Sequence, residues 1–169
     1  MEEYNTAVEF LAQNSINSEF LNKGSKHAAV VIGNMLKNSE QIRLFSGTLD
    51  DEVTGIENLK KELENFIKEN KKIYLLLESI PKNPSPALKL VMNYANTHPN
   101  NAKYKIIEQS FINNLKSNFK LGNALHFAVG DDKSFRVETD MKEYKAICNF
   151  NNRVIASKLK NIFDTYFFN

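Results

Sequence analysis

A histidine, an arginine and a glutamate stand at spacings that can bring them together. The runs Leu125-His126-Phe127-Ala128-Val129 and Ser134-Phe135-Arg136-Val137-Glu138 both alternate in character, and a period of two marks strands whose side chains point to opposite faces. Leu125, Phe127 and Val129 share one face, and Ala124, His126 and Ala128 share the other. On the second run Phe135 and Val137 fall together, opposed by Ser134, Arg136 and Glu138. Both apolar sets can meet one core only if the connection has odd length, and Asp131-Asp132-Lys133 supplies a three-residue loop. This register predicts His126 opposite Glu138 and Ala128 opposite Arg136. An imidazole, a carboxylate that can hold it in one tautomer, and a forked guanidinium on one face point to a phosphate-handling site. Asp131 and Asp132 read as turn residues.

The elements that must position this hairpin follow from hydrophobic spacing. Ala7, Val8 and Leu11 predict an N-terminal amphipathic helix over Glu2 to Gln13. Ser25 is the expected cap of a second helix through Asn38, with Ala28, Val31, Ile32, Met35 and Leu36 as its buried stripe. Gln41 to Ser46 reads as a strand, Gly47 to Asp51 as a loop, and Ile56 to Asn70 as a charged helix. The run Ile73-Tyr74-Leu75-Leu76-Leu77 lacks polar alternation, which suits a strand covered on both sides. Ser85 before Pro86 predicts a capped helix start, and that helix ends near Asn96. Ala102 to Glu108 reads as a strand, and a short helix or loop leads on to Leu121-Gly122. After the hairpin come a strand over Lys145 to Asn149 and a final helix from about Asn152 to Phe167. Strands separated by helices imply parallel crossovers, here followed by an antiparallel hairpin. The expected fold is α/β, a mixed, mainly parallel sheet with helices on both faces.

With 169 residues, 42% hydrophobic and 25% charged, the chain suits one domain, a core over 25–169 preceded by a helical extension over 1–24. A formal charge of +2 permits an anionic ligand without approaching the charge density of a protein that coats nucleic acid. No window approaches a membrane span, and Met-Glu-Glu-Tyr lacks the pattern of a secretion signal, so the reading is cytoplasmic. The single cysteine, Cys148, excludes an internal disulfide and reads as an inert core residue. Three dispersed histidines offer no zinc-site spacing, and no cofactor motif is present. Lys60-Lys61, Lys71-Lys72 and Lys103-Lys105 read as solvated faces, and Tyr166-Phe167-Phe168 as a terminus tucked into the core or a dimer interface. Abundant Lys, Asn and Ile with little Arg and no Trp point to an AT-rich bacterial or phage genome.

The order of elements, with the residues near the C-terminus, resembles one half of the phospholipase D-like superfamily over roughly Ser25 to Phe167. In that family a strand presents a histidine, a lysine two positions later and an aspartate beyond. Here His126 matches, Ala128 stands at the lysine position, and Asp131 or Asp132 falls early. The family's Gly-Ser element is replaced by Arg136-Val137-Glu138-Thr139. Asn149-Phe150-Asn151 before the last helix is similar to the family's asparagine-bearing strand end.

The resemblance implies metal-independent phosphodiester chemistry through a histidine nucleophile and a second, proton-donating histidine, which a single half obtains by dimerising. His126 and Glu138 become the candidate catalytic pair, and Arg136, Lys133 and Asn149 the candidate phosphate contacts. Losing the lysine removes about 3 kcal/mol of charge stabilisation unless Arg136 compensates. Three readings follow. One is a degenerate domain that binds nucleic acid or a nucleotide as a homodimer. The second is a divergent phosphodiesterase or nuclease pairing two copies of His126. The third is a non-catalytic protein-interaction subunit of a defence or mobile-element system.

Overall fold

The structure is a computed structural model and describes residues 1–119 and 126–169. In chain order the elements are α1 Glu2–Gln13, β1 Phe20–Asn22, α2 Ser25–Lys37, β2 Gln41–Ser46, α3 Asp51–Thr54, α4 Glu57–Lys68 and β3 Lys72–Leu77. They continue with α5 Pro86–Thr97, β4 Ala102–Ile106, α6 Gln109–Phe119, β5 Phe127–Gly130, β6 Ser134–Asp140, β7 Lys145–Asn149 and α7 Arg153–Phe167. Among the described residues the strands form one sheet of seven in the order β1-β7-β6-β5-β2-β3-β4. The fold is α/β with a mixed sheet and helices on both faces.

Alternation sorts the core into two layers. Ile42, Leu44, Ile73, Leu75 and Leu77 pack with residues of α1, α2, α4 and α5. Phe45, Tyr74, Leu76, Phe127, Val129 and Phe135 pack on the opposite face with Phe111 and Leu115 of α6 and Leu159, Phe163 and Phe167 of α7. β3 therefore buries both its faces, as its unbroken apolar run requires. Local signals act as the side chains dictate. The Ser85 hydroxyl accepts from Leu88 N at 3.1 Å with Pro86 opening α5, and Asn152 caps α7 through Ile155 N at 3.2 Å.

Four expectations change. The sheet is not mainly parallel: β2–β3 and β3–β4 are parallel, whereas β2–β5, β5–β6, β6–β7 and β1–β7 are antiparallel. The segment before residue 25 is more than a helical extension, since Phe20–Asn22 forms an edge strand on β7 and Val8 and Ala12 of α1 are buried. Three residues are too few to show a period, which is why β1 escapes a pattern search. Ser25 is the first helical residue rather than the cap, a position taken by Gly24 at φ 87°, where glycine avoids the left-handed penalty. Asp50 accepts from Glu52 N at 3.0 Å and starts the short helix α3 inside the expected loop. The expected places of Ala124, Leu125, Leu121 and Gly122 lie outside the described residues.

The hairpin register is as the alternation requires. Ala128 pairs with Arg136, Val129 with Phe135 and Gly130 with Ser134 across the loop Asp131–Lys133. His126 lies just before β5, and its carbonyl accepts from Glu138 N at 2.9 Å, which continues that register by one pair. Asp131 sits at φ 53° and accepts from the backbone N–H of Glu40 and Gln41 at 3.1 and 3.0 Å. It is a turn residue that also ties the hairpin to the start of β2.

Candidate functional site

His126 stands at the C-terminal end of the parallel pair β2–β3, the end at which open α/β sheets present ligand sites. Its ring meets Phe45 edge-on at 5.2 Å. Gly47 leaves the space it fills, since a Cβ there would lie 3.3 Å from His126 Cε1. Both ring nitrogens face carboxylates: Nδ1 lies 3.1 Å from Glu138 Oε2, and Nε2 lies 3.1 Å from Glu78 Oε1. Glu138 is buried, whereas the Glu78 side chain is 46% exposed. Glu78 follows β3, and its N–H donates to the carbonyls of Ser46 and Gly47 at 3.1 and 3.0 Å, which aims its side chain over the end of β2.

A neutral imidazole has one N–H and one lone pair, so it can donate to only one of two carboxylates. Facing two, it is satisfied as the imidazolium. Burial on its own lowers the affinity of His126 for its proton, and the hydrogen bonds and charges of Glu138 and Glu78 outweigh it, leaving the pKa above the ordinary histidine value.

Behind Glu138 lies Arg136, also buried. Its Nη1 donates to Glu138 Oε1 at 3.0 Å, Nε to Asn22 Oδ1 at 2.8 Å and Nη2 to the Tyr144 carbonyl at 3.3 Å. Asn22 in turn donates through Nδ2 to the same carbonyl at 2.5 Å and accepts from Cys148 Sγ at 3.6 Å. The chain Asn22, Arg136, Glu138, His126, Glu78 thus crosses the sheet from its edge strand to the end of β3. Alternation had Arg136 beside Ala128 with its fork free for a ligand. The register is as expected, but the resting fork is held by β1, Glu138 and the Tyr144 carbonyl.

A cavity of about 120 Å³ adjoins this chain. Ala28, Ile32, Leu44 and Val53 give it an apolar wall, and His126, Arg136, Glu138 and Tyr144 a polar one. The Tyr144 hydroxyl lies 3.1 Å from Glu52 Oε2 and 3.5 Å from Asp50 Oδ2. Burial, followed by these two carboxylates, raises the phenol's pKa well beyond the ordinary tyrosine value, so it stays a neutral donor.

The other residues singled out in the sequence lie elsewhere. Lys133 is in the hairpin loop, at the opposite end of β5 from His126. Asn149 pairs with Phe135, on the face opposite Arg136 and Glu138, where its amide donates to Asn17 Oδ1 at 3.0 Å and accepts from Asn151 N at 2.8 Å. Asp132 pairs with Arg153 on the surface at 2.9 Å. His27 stacks on Tyr4 and His98 against Tyr94, so the site holds one histidine. Cys148 is fully buried, and burial pushes its thiol up to about 12. Glu78, Asn22 and Tyr144 escaped the sequence reading because no local pattern links them to His126. Among the described residues no cluster of histidine, cysteine and carboxylate side chains could hold a metal ion, and no helix is long and apolar enough to cross a membrane.

No protein-family model and no curated protein matches the chain. Solved structures do. The archaeal chromatin protein TrmBL2, described as showing a novel mode of DNA binding, superposes with a TM-score of 0.57 at 15% identity, over 98% of this chain and 59% of its own. The chain therefore spans about three-fifths of that protein. Nuc from Salmonella typhimurium, a phospholipase D family member, superposes with a TM-score of 0.56 at 11% identity, over 88% of this chain and 94% of its own. The phosphatidylserine synthase of Haemophilus influenzae gives 0.52 at 9% identity, over 88% and 38%. At these identities the likeness is one of fold, and that fold is phospholipase D-like.

Proposed function

We propose that this chain is a phospholipase D-like domain with a degenerate site that binds a phosphodiester, as in a nucleic acid or nucleotide, and does not cleave it alone. One observation carries the reading: a buried Arg136–Glu138 pair holds His126 at the mouth of a cavity with both ring nitrogens against carboxylates, a setting that favours the imidazolium. Such a cation donates a charge-assisted hydrogen bond to a phosphoryl oxygen. The ligand takes the place of Glu78, the exposed carboxylate now on Nε2.

Binding without cleavage follows from the same contacts. An imidazolium has no lone pair with which to attack phosphorus. The fork of Arg136 has three internal partners, and Ala128 supplies no cation where the family's lysine would stand, so developing charge on the phosphoryl oxygens goes unneutralised. A catalytic second reading, a homodimer facing two copies of His126, draws on the Nδ1 contact to Glu138, which leaves Nε2 as the reactive nitrogen once a proton is lost.

The test is fluorescence anisotropy with a labelled single-stranded oligonucleotide at two salt concentrations, alongside a chromogenic phosphodiester in EDTA. Binding that weakens with salt and is lost in His126→Ala, with no turnover above that variant, is the expected outcome. Equal affinity in His126→Ala would overturn it. Turnover that the variant abolishes would favour the paired-histidine enzyme.

A further inference from the structure

The far edge of the sheet carries features that the His126 site does not use. β4 pairs with β3 on one side only. In a parallel pair, alternate residues direct both backbone groups to the same side. The Asn101 carbonyl accepts from Ile73 N and the Ile107 N–H donates to Leu77 O, each at 2.8 Å, so the residues in phase with them, Lys103 and Lys105, also face β3. Tyr104 and Ile106 consequently turn their N–H and C=O groups outward, where they meet no partner among the described residues. Tyr104 borders a groove of about 440 Å³ beside the edge, lined also by Ala95, Asn96, Pro99 and Phe168.

Two further properties belong to this edge. Ile106 is 52% exposed and Phe168, which lines the groove, 49%, large apolar residues left open to water along this edge. Lys103 and Lys105 are both exposed and project on the α7 side, where Lys105 Nζ lies 5.4 Å from the centre of the Phe167 ring. Neither lysine forms an ion pair among the described residues.

We propose that the β4 edge is a docking site for an extended, acidic segment of a partner protein, which adds to the sheet as an eighth strand beyond β4. Free backbone groups in strand register suit a polypeptide. Acidic side chains at alternate positions would face Lys103 and Lys105, and apolar ones between them would cover Ile106. A second copy of this chain is disfavoured, because antiparallel pairing centred on Tyr104 sets Lys103 against Lys105 and places like charges directly opposite. Single-stranded nucleic acid would use the lysines but not the backbone groups, and one exposed aromatic, Phe168, is a poor stacking platform.

The experiment uses the full chain, fluorescein-labelled peptides alternating glutamate or lysine with valine, and amide hydrogen exchange read by NMR. The acidic peptide should bind at least about tenfold more tightly than the basic one, and Lys103→Glu with Lys105→Glu should reverse the preference. Protection should rise at the Tyr104 and Ile106 amides. Tyr104→Pro, which an edge strand tolerates because that N–H points outward, should abolish binding. His126→Ala should leave it unchanged, so this result and the phosphodiester reading stand or fall separately. Binding without protection at those amides, or indifferent to peptide charge, would overturn the proposal. So would a dimer in sedimentation that Tyr104→Pro dissolves, which would give the edge to a second copy. An oligonucleotide released by the charge reversals would give it to nucleic acid.

Discussion

Arg43 and Arg136 lie on strands of the same sheet, 3% and 4% exposed, and each faces a carboxylate, yet their contacts end in different places. Arg43, on the α7 side, gives both its bonds to one acid: Nε to Asp164 Oδ1 at 2.5 Å and Nη2 to Asp164 Oδ2 at 2.9 Å. Its Nη1 is buried with no hydrogen-bond partner among the described residues, and the Tyr74 ring lies 5.7 Å away. Asp164 has one further ionic neighbour, Lys160 one turn back on the same helix at 3.8 Å, so the contacts close within α7 and fasten it to β2. Arg136, on the other face, divides its bonds among Asn22, Glu138 and the Tyr144 carbonyl, and Glu138 keeps its second oxygen for His126. That chain is open, running from a buried guanidinium to a partly exposed imidazole. A closed pair can only hold; an open chain passes a buried charge to a group that a ligand can reach.

Asp164→Ala tests the closed pair and carries the largest expected effect. It strands a buried guanidinium, and unfolding in urea should show a loss of about 3 kcal/mol, at the low end for a broken buried pair because the Asp164 side chain is 26% exposed. Phosphodiester affinity of the folded fraction should not change. A change in both would mean that the two networks are coupled through the sheet.

Glu138→Gln opens the other chain. Glutamine can still accept from Arg136 but removes the buried charge shared by the guanidinium and the imidazole, so the expected loss is smaller, about 2 kcal/mol. The His126 pKa, followed by NMR, should fall, because Glu138 is the main partner that raises it. The sign of the pH dependence follows. A pKa raised on folding contributes stability that is fully present below the ordinary histidine value, about 6.5, and is lost as pH rises through the folded value. Wild type should therefore exceed His126→Gln in stability by more at pH 5.5 than at pH 9. An equal margin at both would mean that His126 carries no extra proton.

The two networks also differ in how far the sequence exposed them. Alternation gave the pairing of Ala128 with Arg136 and put His126 beside Glu138, because a hairpin is local and the parity of its loop determines which side chains share a face. The bounds of β2, β3 and β7 were readable in the sequence, that of β3 from its unbroken apolar run. What stayed hidden depends on distant contacts. Asn22 reaches Arg136 across 114 positions and Glu78 reaches His126 across 48, and neither carries a local signature. Arg43 was legible only as part of a strand, since nothing near it marks Asp164 as its partner. Asn149 shows the opposite case: its strand was found, but one position along a strand reverses the face, and it lies away from His126.

Glu78→Gln touches only the exposed end of the open chain and should have the smallest effect on stability. The carboxylate is half in water, so its loss should move unfolding by no more than about 0.5 kcal/mol. The His126 pKa should fall by less than in Glu138→Gln, since a screened partner contributes less than a buried one. Affinity for the oligonucleotide should rise about threefold, equivalent to roughly 0.6 kcal/mol, because an anion competing for Nε2 has gone while glutamine occupies the same volume. A fall in affinity would show Glu78 keeping the imidazole protonated for the ligand. The open end would then be a proton reservoir rather than a displaceable cap, and the site would gain its phosphate contact from the charge of both carboxylates acting together.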